Sequence, residues 1–152
     1  MAVRKIKLIV QYDGSAYRGW QVQPGEKTIQ AALVEAVSSL IGRKTFVHGA
    51  SRTDSGVHAL GQTALFETDS PIPTENFRDA INDRLPKDIV VTEAAEASRN
   101  FDLISGPTSK LYRYTIYTAP LRPVMKINQC WHLPAKLEIE AMQEAAKLIP
   151  GR

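Results

Sequence analysis

An α+β fold is predicted: a ferredoxin-like (RRM-like) βαββαβ core with additional strands, its antiparallel sheet carrying helices on one face. Three observations predict it. Residues 4–12 alternate apolar and polar side chains, the period of a half-buried strand. Residues 29–41 carry apolar side chains at the 3.6-residue spacing of an amphipathic helix. The periodic segments then follow one another as strand, helix, strand, strand, helix, strand, which is the order of the split βαβ arrangement.

Each element has its own justification. In the first strand Ile6, Leu8 and Val10 share one face, and Asp13-Gly14-Ser15 ends it. The loop 13–27 is rich in Gly, Gln and aromatic residues; a long loop of this kind is commonly functional, and Trp20 within it is expected to plug the core. Thr28 supplies an N-cap for the helix carrying Ile29, Ala32, Leu33, Ala36, Val37, Leu40 and Ile41, and Gly42 supplies its stop. A strand through Thr45–Val47 is expected next, then a shaped loop, then a strand over 59–68. Pro71-Ile72-Pro73 make a turn, and Thr74 is expected to cap a second helix that ends near Leu85-Pro86. The β-branched run Ile89-Val90-Val91 starts another strand. Residues 109–118 alternate again, with Tyr112, Tyr114 and Ile116 on one face and Leu111, Arg113, Thr115 and Tyr117 on the other. A shorter strand near 125–133 and a last helix over 137–148 complete the reading, and the chain stops at Ile149-Pro150-Gly151-Arg152 with no finishing strand.

Composition narrows the function classes. The 152 residues suffice for one domain that buries about 70% of its unfolded surface. With 43% hydrophobic and 23% charged residues the chain is ordinary globular protein. The one cysteine, Cys130, permits neither an internal disulfide nor a cysteine-based metal site. No apolar run approaches a membrane span and the N-terminal residues do not resemble a signal peptide, so a cytoplasmic protein is expected. Net charge is only +3, yet residues 67–96 hold eight acids against three bases, leaving 16 bases and eight acids elsewhere. That asymmetry suits one basic face for a polyanion and one solvated acidic face.

The chemistry centres on residues 49–59, Gly-Ala-Ser-Arg-Thr-Asp-Ser-Gly-Val-His-Ala, a loop bounded by glycines between two apolar runs. Asp54 lies two residues from Arg52, whose charge favours the ionised carboxylate and so a nucleophile or an anchored ligand. An Asx-turn at Asp54, with Arg52 solvated, is the competing local explanation. Asp54-Ser55-Gly56 is also the triplet of half-sized aspartic proteases, but Arg52 and Thr53 stand where such proteins place apolar residues, and two amphipathic helices count against it. A non-catalytic RNA-binding module would use Tyr112 and Tyr114, with Lys110 and Arg113 nearby, to stack bases and hold phosphates. It leaves the loop around Asp54 without explanation.

Arg52-Thr53-Asp54-Ser55-Gly56-Val57-His58-Ala59 resembles the catalytic signature of the tRNA pseudouridine synthase A family. Two further stretches resemble that family in the same order: Tyr12-Asp13-Gly14, Arg18-Gly19-Trp20-Gln21 and Gln23; then Lys110-Leu111-Tyr112-Arg113-Tyr114. Phe101-Asp102 is similar to the segment that precedes those tyrosines. The resemblance implies an isomerase that converts uridine to pseudouridine in the anticodon stem-loop of tRNA, at positions 38, 39 and 40. It implies Asp54 as nucleophile, Tyr112 stacked on the flipped base with its hydroxyl near the C5 proton, and Arg52 paired with Asp54. Lys110, Arg113, Arg43, Lys44 and Arg18 would meet substrate phosphates. No redox or group-carrier cofactor and no metal are implied, and the partners are tRNA and a second copy of the chain in a homodimer.

Departures are few. Ser55 stands where the family usually has Ala, and Tyr17 where it usually has Phe. Family members run on for roughly another hundred residues as a pseudo-symmetric second half, so residues 1–152 are expected to be the N-terminal catalytic portion. His48, His58 and His132 share no metal-ligand spacing and are assigned structural roles, His58 in fixing the loop; Trp131 and Cys130 are assigned to the core.

Overall fold

The computed structural model describes residues 2–149. Met1, and the expected chain end at Pro150, Gly151 and Arg152, lie outside the described residues. The backbone divides after Lys110 into two units.

In the first unit β1 spans Arg4–Tyr12, and its alternation buries Ile6, Leu8 and Val10 completely. It lies between β3 (Ala59–Thr68) and β4 (Ile89–Ala97) and is antiparallel to both. The short β2 (His48–Gly49) pairs with β3 at the edge, giving the sheet order β2-β3-β1-β4. Register slips against both neighbours near the end of β1, between Val10 and Tyr12 and between Ile9 and Val10. Such irregularities re-aim the side chains beside them, here Tyr12.

Helix α1 occupies Ile29–Ile41 between the expected cap and stop. Thr28 Oγ1 accepts the Ala31 amide, and Gly42 takes the left-handed φ of 78° that ends helices. Ile29, Leu33 and Val37 pack with Phe77 and Ile81 of α2 (Phe77–Asn82) against Ile6, Leu8, Val10 and Phe66. Each such side chain contributes about 1.5–3 kcal/mol through burial. Trp20 joins this cluster, as expected.

Several sequence expectations are corrected. Thr45–Val47 is not a strand: Ser38 Oγ accepts the Thr45 amide at 2.9 Å and donates to its carbonyl at 3.3 Å. Helix α1 thus takes the backbone groups that a ladder would use, and pairing starts at His48. Thr74 does not cap α2, because its Oγ1 accepts from Arg4 Nη1 at 3.1 Å and a 3₁₀ turn over Thr74–Asn76 intervenes. The helix ends at Asn82, whose side-chain amide brackets the backbone N–H and C=O of Val91 in β4.

In the second unit the strand expected over 109–118 shrinks to β5 (Ile116–Tyr117). Its parallel partner is β6 (Trp131–His132), the remnant of the strand expected near 125–133. Alternation states which face a strand would bury but cannot supply a hydrogen-bonding neighbour: the Thr115 carbonyl accepts the Trp131 amide at 2.8 Å, and no ladder extends back over 109–114 among the described residues. Residues 124–126 form a 3₁₀ turn, and α3 spans Ile139–Ala146, inside the expected range. Trp131 is 63% exposed rather than part of a core, and Cys130 is half-buried with Sγ 3.3 Å from the Lys126 carbonyl. No described helix is long and apolar enough to cross a membrane.

Candidate active site

The loop 49–59 is built on the loop 13–21 and on β3, all within the first unit. Its base is apolar: Ala50 clusters with Leu65 of β3 and with Leu103, while the Ala50 amide bonds the Thr63 carbonyl. Leu103 reaches it because Asp102 makes an Asx-turn, accepting the Ile104 amide at 2.9 Å and the Ser105 hydroxyl at 2.8 Å. The Ile104 amide, followed by the Ser105 hydroxyl, holds the Asp102 carboxyl below the usual range. Lys5 Nζ donates to the Phe101 carbonyl at 3.1 Å. The Phe101-Asp102 resemblance therefore marks a segment that supports the loop from beneath.

Toward the tip, fixings alternate with open side chains. Ser51 and Thr53 are half-buried, whereas Arg52 and Asp54 are exposed. Ser51 is clasped by Gln62, the Gln62 amide donating to the Ser51 carbonyl and the Ser51 hydroxyl lying 3.2 Å from Gln62 Oε1. Thr53 is held twice, its hydroxyl sharing a 2.9 Å hydrogen bond with the Tyr12 hydroxyl and its carbonyl accepting the Trp20 amide at 3.0 Å. Beyond Asp54, the Gly56 amide and the Ser55 hydroxyl both donate to the Tyr17 carbonyl. His58 Nδ1 lies 3.3 Å from the Gly14 amide and 3.1 Å from Asp13 Oδ1. Unprotonated it accepts from Gly14, and protonated it donates to Asp13, so in either state it ties the far end of the loop to the first motif. Gly19, at φ 83°, is required by this docking: a β-carbon there would fall 2.6 Å from the Thr53 carbonyl oxygen.

The carboxylate of Asp54 accepts no hydrogen bond among the described residues. The Asx-turn that could have consumed it forms instead at Asp13, which takes the Ser15 amide at 2.9 Å, and at Asp102. The expected Arg52–Asp54 ion pair is also not formed among the described residues. Two exposed side chains gain only about 0–1 kcal/mol from pairing, which their lost rotamer freedom offsets. Both charges therefore face solvent from a backbone fixed on its other side.

The remaining candidate residues stand as follows. Arg18 Nε lies 3.4 Å from Glu26. Arg43 makes a two-pronged contact with Asp69, which lowers the pKa of that carboxyl. Lys44 Nζ stands 5.1 Å from the centre of the Phe46 ring. Lys110, the last residue of the first unit, is exposed, and Tyr112 and Arg113 are exposed residues of the second unit. His132 Nε2 meets the Ala119 carbonyl at 2.9 Å, a structural role, while the His48 side chain is exposed. Among the described residues no group of three or more His, Cys, Asp or Glu is placed to hold a metal ion. Sequence reasoning missed Gln62; its polar side chain inside the otherwise apolar end of a strand was the available signal.

Residues 8–103 match the family model described as tRNA pseudouridine synthase. The chain is 46% identical over 149 residues to tRNA pseudouridine synthase A of Geobacter sp. (strain M21), covering 98% of this chain and 60% of that protein. It is 42% identical over 149 residues to the protein of the same name from Caldicellulosiruptor saccharolyticus, with 98% and 61% covered. Against tRNA pseudouridine synthase A 2 of Clostridium perfringens, identity is 41% over 150 residues, with 99% and 62% covered. The chain thus spans about three-fifths of the length of the curated relatives it matches.

Proposed function

Since this chain belongs to the tRNA pseudouridine synthase family, we propose that it is the N-terminal catalytic portion of an enzyme that isomerises uridine to pseudouridine in tRNA. The observation that carries the reading is the outward presentation of Asp54 and Arg52 from a loop pinned at Ser51, Thr53, Ser55 and His58. A structural carboxylate would be consumed by its own loop. This one is left for a ligand.

The chemistry follows from the groups. Breaking the bond between uracil N1 and ribose C1′ leaves positive charge on the sugar, which an ionised carboxylate stabilises or traps. Attack at C1′ and addition to the uracil ring both need Asp54 unprotonated and exposed. The freed uracil, which keeps the electron pair of the broken bond on N1, rotates and rejoins C1′ through C5. C5 then loses its proton and N1 takes one up, so substrate and product have the same composition and no redox partner enters. A base in a stem must leave the stack first. Arg52, unpaired with Asp54, is available to hold the flipped nucleotide or its phosphate, and Tyr112 to stack on the base with its hydroxyl toward C5.

The substrate region is the anticodon stem-loop, with Arg18, Arg43, Lys44, Lys110 and Arg113 as its phosphate contacts. Arg18 and Arg43 would exchange Glu26 and Asp69 for phosphate, an exchange that exposed pairs permit at small cost. The order β2-β3-β1-β4, with α1 and α2 as crossovers, supports reading the first unit as ferredoxin-like. A cytoplasmic homodimer completes the proposal.

The test is tritium release from C5-tritiated uridine in an anticodon stem-loop tRNA, comparing this chain with Asp54→Ala. Release that vanishes in the variant is expected. Equal release from both would remove Asp54 from the mechanism. Binding of tRNA without any release would mean either that the further length of the relatives is needed or that this is a non-catalytic RNA-binding module, and a chain of the relatives' full length separates those two.

A further inference from the structure

Arg52 and Asp54 have no side-chain partners of their own among the described residues, so their directions are set through their neighbours. Each is preceded by a residue held by a buried polar side chain from the sheet. Gln62 of β3, 8% exposed, closes two hydrogen bonds on Ser51, one to its carbonyl and one to its hydroxyl. Tyr12 of β1, 3% exposed, holds the Thr53 hydroxyl at 2.9 Å, and its ring lies 6.2 Å from that of Trp20, whose amide holds the Thr53 carbonyl. Burial raises the Tyr12 pKa, which keeps the phenol neutral and able to share its proton with Thr53. Neither side chain is needed to fill the core as a polar group: Phe would fill the space of Tyr12, and Met that of Gln62. The polar atoms are explained by what they hold.

Resting on the function proposed above, we propose that Tyr12 and Gln62 are positioning residues. Tyr12 aims Asp54 through Thr53, and Gln62 aims Arg52 through Ser51. Two successive fixings, one on each side of Arg52, hold residues 51–54 in the alternation that puts both reactive side chains on one side. A one-residue slip would turn Asp54 inward, so the register of four residues decides whether a nucleophile is presented at all.

The experiment compares Tyr12→Phe, Thr53→Val, their combination, and Thr53→Ser. In single-turnover tritium release, each single variant is expected to lower the maximal rate by roughly 10- to 100-fold, as misplaced reacting groups do, with tRNA affinity unchanged. The double variant should be no slower than the slower single, and Thr53→Ser should restore the rate. Gln62→Met combined with Arg52→Ala should likewise be no slower than Arg52→Ala alone. Additive losses, unchanged rates, or losses that merely track the unfolded fraction at the assay temperature would overturn the assignment. ¹⁵N relaxation of the Asp54 backbone amide and of the Arg52 side-chain Nε is read in the same variants without substrate. Reduced order at Asp54 in Tyr12→Phe and Thr53→Val, and at Arg52 Nε in Gln62→Met, is expected, and wild-type order in all three would sink the proposal. Should the wild-type chain release no tritium, the functional reading is decided separately on a chain of the relatives' full length, and the relaxation data still decide the positioning roles.

Discussion

Gly49 and Trp20 lie so close that any β-carbon between them displaces the ring: one built on Gly49 would fall 2.5 Å from Trp20 Cε2 and 2.6 Å from Nε1. The indole, fully buried in the core of the first unit, thereby fixes the point where β2 hands over to the reactive loop. Gly49→Ala should push the ring out of its place and lower stability by about 1–3 kcal/mol, the usual penalty of overpacking. Urea unfolding measures the loss. In a Trp131→Phe background, Trp20 emission should shift to the red; emission and midpoint matching the parent would show that the contact gives way freely.

Asp54 supports the fold with nothing but its backbone, whose carbonyl accepts the Val57 amide. Asp54→Asn should therefore leave the unfolding midpoint within about 0.5 kcal/mol of wild type, as surface substitutions do. Tritium release, by contrast, should drop by several orders of magnitude. A variant that loses both stability and release together would make Asp54 a structural residue.

Tyr17 donates its hydroxyl to Asp88 Oδ1 at 2.6 Å. Burial, and then the Asp88 carboxylate, push the phenol well above its ordinary range. A folded pKa above the unfolded value near 10 means that the stabilisation is complete below about pH 10 and is lost as pH rises beyond it. Tyr17→Phe should cost about 1 kcal/mol at pH 7 through the lost hydrogen bond. It should also flatten the fall in stability between pH 9 and about 11.5, with the buried Tyr12 accounting for what remains. Urea midpoints across that range, taken for both proteins, decide it. An unchanged alkaline slope would refute the assignment.

Asp13 carries the opposite sign. The Ser15 hydroxyl first, then the Ser15 amide and His58, hold its carboxyl below the usual value. Its contribution is present above about pH 3.9 and is lost as pH falls below that, through the lowered folded pKa. Asp13→Asn should lessen the loss of stability on acidification from pH 5 to about pH 2.5. Parallel acid limbs for the two proteins would show that Asp13 is not held in this way.

Much of this was legible in the chain. The strand over residues 4–12, the helix between Thr28 and Gly42, the strand over 59–68 and the start of β4 at Ile89 stand where periodicity and caps place them, because each depends on residues within a few positions of one another. Errors fell where a distant group competed. Ser38 removed Thr45 from a ladder, Arg4 took the Thr74 hydroxyl, and residues 109–114 alternate without a strand to pair with among the described residues.

The same division runs through the site. The sequence by itself determined the family, the presence of a carboxylate and a guanidinium two residues apart, and the glycines that let the loop form. Only the tertiary structure decided that the Asp54 carboxylate has no partner among the described residues and Asp13 has one, that Arg52 and Asp54 do not pair, and that Gln62 and Tyr12 hold the residues before them. Tyr12 and Thr53 are 41 positions apart, and Tyr17 and Asp88 are 71 apart. Backbone preference acts over a turn or a strand, whereas those hydrogen bonds exist only after hydrophobic burial has brought β1, β3 and the two loops together.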